Sequence, residues 1–354
     1  MKTLLMAPYP PMVGGIAKWA MTLCHTKLPN NWEVIPFQTN TPGSEVYNKI
    51  DKRNYLHEVK RCFWIWKRLN RTLKADKEIQ IVHTNIPANF QSMLRECICA
   101  IIVKLNKRKF IVHFHCTLPQ KVQSRPTLLM LKILCGLSEN AITLNKQSLD
   151  YLQEQSPKTK SMLLPNFVED DIIRCTEKKF NKMIRTVLYV GGIVEIKGCN
   201  DILKVAEIHP NIEFRMVGFI SQEFKNRVIP KNVVLTGVKQ GKELEEEYNN
   251  ADIFIFLSHM NSEGFSIALT EAMAYGLPCI VTDWAANKDM IGKEGGIVIP
   301  ILSPEKAAEA IDLLQNEEIR EKASARNIET VRRLYSQSVI AGQLVNIYET
   351  VIMK

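Results

Sequence analysis

Residues 253–283 read I-F-I-F-L-S-H-M-N-S-E-G-F-S-I-A-L-T-E-A-M-A-Y-G-L-P-C-I-V-T-D. An apolar run from Ile253 to Leu257 breaks into a polar loop. A helical stretch follows, stops at Gly276-Leu277-Pro278, and gives way to a second apolar run, Cys279 to Thr282. Strand, loop, helix, strand is the βαβ unit of a parallel sheet. Sheets of this kind bind ligands just beyond the carboxyl ends of their strands. Two carboxylates fall there, Glu263 in the loop and Glu271 about two helical turns further on, and Gly264 lets backbone come close to a ligand. The amides of Gly264, Phe265 and Ser266 are expected to open the helix and point at an anion. Amides for phosphate, one carboxylate for ribose hydroxyls and the other beside a sugar suit a sugar nucleotide.

A chain of 354 residues has room for two domains, and 46% hydrophobic with 23% charged residues describes a soluble globular protein. No run approaches the roughly 20 apolar residues that span a bilayer. The opening M-K-T-L-L-M-A-P-Y-P-P is too short in apolar residues for a signal peptide, so the protein is expected to stay in the cytoplasm where it is made. Nine scattered cysteines read as reduced thiols; Cys97 and Cys99 fall on different helix faces, and no His/Cys/Asp cluster has metal-ligand spacing. No metal cofactor is expected. Charge divides the chain: residues 1–175 hold 25 Lys/Arg against 13 Asp/Glu, while the remainder hold 21 against 24. The basic half is expected to meet something anionic.

In that first half, Lys2–Ala7 reads as a buried strand followed by the pair Gly14-Gly15, which permits close backbone approach before a helix to about Leu28. Trp32–Gln38 and Ile79–His83 are further strands with helices between them, a parallel α/β alternation. The helix within residues 52–74 carries eight basic residues and one acidic. Tyr55, Val59, Cys62, Phe63, Trp66, Leu69 and Leu73 form one stripe at helical spacing, the face expected to pack on the sheet. Trp64 falls off that stripe, within a turn of Lys60, Arg61, Lys67 and Arg68. An exposed Trp ringed by cations suits a helix lying on an anionic membrane, each well-placed cation contributing about 1 kcal/mol. Nucleic acid is the rival partner, but no recognition motif accompanies the patch. Lys104–Lys109, Lys121, Arg125 and Lys132 enlarge the basic surface. The strand from Lys109 runs to His115, with His113 on the same side; His115 stands at the carboxyl end, where ligands sit. Ala141–Leu144 is a fifth strand, and the polar stretch E-D-D-I-I-R-C-T-E-K-K-F-N-K is the interdomain linker candidate.

The second half repeats the pattern. A strand at Thr186–Val190 leads into G-G-I-V-E-I-K-G, beginning at Gly191, and a helix from Cys199. Strands at Ile212–Val217 and Val233–Thr236 end in Gly218 and Gly237, backbone positions suited to flank a nucleotide base. K-E-L-E-E-E-Y is a charged helix whose acidic run reads as a solvated face. Gly295–Val298 is an edge strand, residues 304–335 are two helices, and a last helix spans about 338–352.

The stretch E-G-F-S-I-A-L-T-E-A-M-A-Y-G-L-P, with its flanking S-x4-E-G-F, resembles the signature of family-4 retaining glycosyltransferases. The resemblance covers nearly the whole chain, strongest over 186–283 and weakest over 30–80. It implies an α/β GT-B architecture, two Rossmann-like domains with parallel sheets facing across a cleft. Residues 1–168 are then the acceptor-side domain, with a C-terminal helix of about 338–354 packing back on it, and 169–337 the nucleotide-sugar domain. Glu263 and His115 (His113 in reserve) are implied at the transferred sugar. Gly14, Gly15, Gly191, Lys197, Gly218, Gly264, Phe265, Ser266 and Glu271 are implied at the donor, Glu271 on the ribose. L-L-P-N-F-V at 163–168 resembles the family's P-N-G-V with Phe167 in place of Gly. Ala285-Ala286 and Asp289 match the family's glycine pair and Glu weakly. The family's G-R-x4-K-G loop keeps Lys197 and Gly198 here but has Gly192 in place of the Arg. The activity implied is metal-free, retaining transfer from a nucleoside-diphosphate sugar to a hydroxyl of a membrane-associated glycan or lipid-linked acceptor. The cytoplasmic protein would attach peripherally to the anionic inner face of the membrane through Lys60, Arg61, Trp64, Lys67 and Arg68, with no nucleic-acid partner. A sugar-nucleotide epimerase on the same scaffold and a non-catalytic lipid or nucleic-acid binder are the alternatives.

Overall fold

The computed structural model describes residues 1–10, 14–40, 55–176 and 178–353. Residues 11–13 of the glycine-rich stretch, Lys52 and Arg53 of the basic segment, the side chain of Tyr55 and residue 177 of the linker candidate lie outside the described residues. The chain divides into two compact units, Met1–Asn166 with Gln337–Lys354, and Phe167–Ser336.

The first unit runs β1 (Lys2–Ala7), α1 (Gly15–His25), β2 (Glu33–Gln38), α2 (Tyr55–Ala75), β3 (Ile79–Ile86), α3 (Phe90–Leu105), β4 (Lys109–Phe114), α4 (Leu118–Lys121), α5 (Arg125–Leu137), β5 (Asn140–Thr143), α6 (Lys146–Gln155) and β6 (Ser161–Leu163). The second runs β7 (Thr186–Val190), α7 (Cys199–Ile208), β8 (Glu213–Val217), α8 (Gln222–Lys225), β9 (Val233–Gly237), α9 (Lys242–Asn250), β10 (Ile253–Phe256), α10 (Ile267–Ala274), β11 (Cys279–Thr282), α11 (Asn287–Ile291), β12 (Gly296–Ile299), α12 (Pro304–Leu313) and α13 (Glu317–Thr330). The last helix, α14 (Gln337–Ile352), belongs to the first unit. Among the described residues there are two six-stranded sheets, ordered β2-β1-β3-β4-β5-β6 and β12-β11-β10-β7-β8-β9. All their pairings are parallel. In each, the strand order reverses beside the first strand of the unit, which is where a crevice opens at the carboxyl ends.

Strand alternation assigns the two faces of the first sheet. Met6, Val82 and Val112 face a core closed by Ile65, Leu69 and Leu73 of α2, Met93, Ala100 and Val103 of α3, and Leu131 and Leu134 of α5. His83 and His113 face the other way, against Trp19 of α1, and His83 also meets Tyr348 of α14. Helix starts follow local capping chemistry: Asn89 accepts from the Ser92 amide at 2.8 Å, and Ser124 from that of Thr127.

Helix α2 is rotated from the stripe expected of it. Ile65, absent from that stripe, is fully buried, while Phe63, assigned to it, is 63% exposed. Trp64 does not project among free cations: it is half-buried and packs against the core. The same flank meets edge strand β2. Arg68 donates to the Gln38 carbonyl at 3.0 Å and lies over the rings of Phe37 and Trp64, at 4.4 and 5.0 Å from their centres. With Ile65, Leu69 and Leu73 seated in the core, the Trp64 flank is turned inward and Phe63 outward. Arg61 pairs with Glu58 at 2.6 Å, and of the four cations assigned to a membrane surface, Lys60 and Lys67 are exposed. The acidic run of α9 is likewise not all solvated. Glu247 is buried between Arg215 and Lys239, and Arg215 first among them holds its carboxyl below the usual carboxylate range.

Candidate functional site

In the second unit the loops after β7 and β10 are fastened together. The His259 amide donates to the Ile196 carbonyl at 3.1 Å, and Gly198 has a left-handed φ of 75° that leaves no room for a side chain. A Cβ there would lie 2.2 Å from the Leu257 carbonyl oxygen, so only glycine lets the two loops approach this closely. The approach brings the Lys197 ammonium to 2.5 Å from Glu263 Oε2, an oxygen that also accepts from the Ser258 hydroxyl at 3.3 Å. Lys197 Nζ lies 5.4 Å from the Phe256 ring centre. Both charged side chains are largely sheltered, and the cost of removing each from water is offset by its partner.

Beside this pair, Gly191, Gly218 and Gly237 end the adjacent strands β7, β8 and β9. Gly191 donates to the Val217 carbonyl and Gly218 to the Gly237 carbonyl, at 2.9 and 2.8 Å. A Cβ on Gly218 would meet the Gly191 oxygen at 1.8 Å. The result is a bare backbone floor at the carboxyl edge of the sheet. The Tyr189 hydroxyl donates to the Gly192 carbonyl at 2.8 Å and fixes the loop from below. At Gly192 itself a Cβ would meet nothing within 4 Å.

Helix α10 opens at Ile267, later than the sequence suggests. Ser266 is its N-cap, the hydroxyl accepting from the Leu269 amide at 3.2 Å, so Gly264 and Phe265 belong to the approach loop. Phe265 is buried edge-on against Tyr335, centres 5.0 Å apart. Glu271 is buried in the second turn, where Oε2 accepts from the Tyr248 hydroxyl at 2.9 Å. Burial, with the Glu271 carboxylate beside it, pushes that hydroxyl well above its ordinary range, so it stays a donor. Tyr248 also stacks on Tyr275 with centres 5.0 Å apart. Sequence reading missed Tyr248; its one signal was an aromatic in the last turn of an otherwise charged helix.

In the first unit a cavity of about 630 Å³ opens at the carboxyl ends of β1, β2 and β3, between α2 and α3. Gly14, Gly15, Asn40 and Asn85 line its polar end, and Trp66 and Leu94 its apolar wall. His115 stands behind this lining, buried, with Nε2 at 2.8 Å from Asn85 Oδ1. Asn85 donates from Nδ2 to the Met6 carbonyl at 3.2 Å, so its oxygen faces the imidazole and His115 carries its proton on Nε2. His113 lies tilted against His115 at 4.2 Å and stacks on His83 at 5.5 Å, with Trp19 edge-on to all three. Burial is the main cause that holds all three imidazoles below their ordinary range, His83 and His115 at about 3. Asn85 is thus the group presented to the cavity, a role that no sequence signal marked.

Residues 175–331 match the family model for glycosyl transferases group 1. Among curated relatives, the chain is 28% identical over 200 residues to a phosphatidyl-myo-inositol mannosyltransferase of Mycobacterium leprae (strain TN), covering 53% of each chain. The chain spans about half the length of the curated relatives it matches. Among solved structures, sucrose-phosphate synthase from Thermosynechococcus elongatus superposes over 99% of both chains with a TM-score of 0.79 at 16% identity. HepE of Anabaena, solved in complex with UDP, superposes over 99% of this chain and 100% of its own, with a TM-score of 0.73 at 11% identity. At these identities the likeness is one of fold, and the fold shared is GT-B, as the Glu263–Glu271 segment implied. Residues 175–331 are therefore similar to the group 1 glycosyl transferases, in a chain with the GT-B fold.

Proposed function

We propose that the protein is a retaining glycosyltransferase that moves a sugar from a nucleoside-diphosphate donor to a hydroxyl of a membrane-associated glycan or lipid-linked acceptor. The observation that carries this reading is the Lys197–Glu263 pair at the mouth of a backbone floor made by Gly191 and Gly218. A nucleoside diphosphate gains negative charge as its bond to the sugar breaks, and that growing charge needs fixed positive groups aimed at it. In this reading Lys197 exchanges its Glu263 partner for the diphosphate. The N-terminus of α10, capped by Ser266 and approached through Gly264 and Phe265, adds its dipole. Glu263, released, stands at the sugar to bind its hydroxyls or steady positive charge at the anomeric carbon. Glu271, oriented by Tyr248, binds the ribose hydroxyls. Gly14 and Gly15 contact the donor, and His115 acts on the transferred sugar through Asn85. UDP sugars are the first donors to try, since the fold neighbour HepE was solved with UDP. The mannosyltransferase relative supports a lipid-borne acceptor by its name. Cytoplasmic action at the inner membrane face, and turnover that persists in a chelator, complete the proposal.

The test is donor turnover by Glu271→Ala and Lys197→Ala. Each is expected to lose turnover by about a hundredfold or more, the scale of removing one preorganised charge-stabilising group. The fold should persist with a lowered unfolding midpoint, because each change leaves a sheltered partner without its bond. Wild-type turnover in both purified variants overturns the assignment.

A further inference from the structure

The loop that carries Glu263 closes in a tight turn. The Glu263 amide donates to the Met260 carbonyl at 2.9 Å, across Asn261 and Ser262. The same carbonyl oxygen accepts a second bond, from the Trp284 indole nitrogen at 3.0 Å. Trp284 stands in the turn that leaves β11, the strand beside β10, so one side chain reaches from one strand end to the loop after its neighbour. Thr282 makes a parallel link, its hydroxyl donating to the Ser258 carbonyl at 2.6 Å. The backbone of the Glu263 loop is thus held at Ser258 and at Met260 from the β11 side.

The turn that offers these bonds is itself over-determined. The Trp284 amide donates to the Thr282 carbonyl at 2.8 Å, and the Asn287 amide to the Trp284 carbonyl at 3.1 Å. Asn287 is fully buried, and its side-chain amide donates back to the Thr282 carbonyl at 3.3 Å. Between these anchors Ala285 has a φ of 51°, a left-handed conformation that a residue with a Cβ enters only at a cost. Such strain persists where the surroundings fix the backbone several times over, and it gathers at functional sites. Trp284, half-buried, is fastened through its backbone and its indole alike.

The use of this fastening follows from the Lys197–Glu263 pair. In the free protein the Glu263 carboxylate is held by the Lys197 ammonium at 2.5 Å and by the Ser258 hydroxyl at 3.3 Å. In the transferase reading, on which this inference rests, Lys197 turns to the diphosphate when the donor binds. The carboxylate then loses its ion pair at the stage where its position matters most, since a misplacement of about an ångström costs about a hundredfold in rate. The bonds from Trp284 and Thr282 do not involve Lys197 and survive its departure. We propose that Trp284 is a positioning residue for Glu263. Its indole holds the Met260–Glu263 turn, so the carboxylate keeps its place when the donor has drawn Lys197 away. Trp284 acts through the turn and not on the sugar.

The experiment uses Trp284→Phe, which keeps an aromatic ring and removes the indole donor. Hydrogen exchange of the full chain, read by mass spectrometry without any ligand, is expected to run about three- to tenfold faster over residues 258–264 in the variant, the scale of one lost hydrogen bond. Strands β10 and β11 are expected to exchange as in wild type, which shows that the fold holds. Breakdown of UDP-glucose, followed as release of UDP, is expected to fall about tenfold or more in kcat with KM within about twofold; a merely structural role would move both. In a Glu263→Gln background Trp284→Phe is expected to change the rate no further, because the two act as one unit. Wild-type exchange over 258–264 in Trp284→Phe overturns the inference, as does full additivity with Glu263→Gln. Loss of turnover in Glu263→Gln with a wild-type kcat in Trp284→Phe overturns the inference alone. Wild-type turnover in Glu263→Gln instead overturns the role of Glu263 in the transferase reading. Exchange is read without turnover, so its outcome and that of the transferase assay are separate.

Discussion

Gly198→Ala probes the joint between the two loops of the second unit. The wild-type residue has φ 75°, and an alanine in the left-handed region costs about 1 kcal/mol relative to glycine. The added methyl would sit 2.2 Å from the Leu257 oxygen and 2.6 Å from its carbonyl carbon. Relief requires moving the exit of β10 by about an ångström, a backbone shift of the kind that costs about 1–3 kcal/mol. The sum, about 2–4 kcal/mol, corresponds to a fall of roughly 5–15 °C in the unfolding transition of a unit this size. The same displacement stretches the His259–Ile196 hydrogen bond and draws Lys197 from its place beside Glu263, so under the proposed function UDP binding should weaken as well. Calorimetry gives the first quantity and isothermal titration with UDP the second. Gly342→Ala provides the contrast: it lies within α14, its added Cβ meets nothing within 4 Å, and helix propensity predicts stabilisation by about 0.5–1 kcal/mol. A Gly198→Ala chain that melts and binds UDP like wild type refutes the close-approach reasoning.

Tyr248→Phe removes the donor to Glu271 without changing the packing; stability should fall by about 1–3 kcal/mol, and donor affinity with it, in thermal unfolding and titration with a UDP sugar. Gly192→Arg has open space and restores a second cation at the loop; donor affinity should rise about tenfold or more by titration, the scale of one charge-assisted hydrogen bond. For pH, the buried histidines fix the sign. Their folded values lie near 3 for His83 and His115 and well below the ordinary range for His113, against about 6.5 unfolded, so the unfolded chain binds more protons in that window. Their contribution is complete above about pH 6.5 and is lost as pH falls toward 3, by up to about 1.4 kcal/mol per pH unit for each imidazole. Denaturant titrations at pH 7.5 and about pH 5 should show the loss, and His113→Asn should reduce the slope.

Much of this was written locally. The apolar runs at Ile253–Phe256 and Cys279–Thr282, with a helix between them that ends at Gly276, needed no distant contact to be read, because alternation and helical period are properties of neighbouring residues. The two glutamates and Lys197-Gly198 were visible for the same reason. Helix α2 shows where local pattern gave out. Its composition offered two apolar flanks, and packing on the sheet selected the Ile65–Leu69–Leu73 side, where Arg68 also reaches Phe37 on a distant strand. Likewise the sequence placed Glu271 on a helix, yet its partner Tyr248 lies on a different helix, and Asn85 stands before His115 only because β3 and β4 are neighbours. Glu247 read as solvated until Arg215 and Lys239 closed over it. The sequence by itself determined the elements, their parallel class and the residue types at the strand ends. The tertiary structure decided which of those residues meet, because burial and pairing depend on contacts between segments that local spacing does not record.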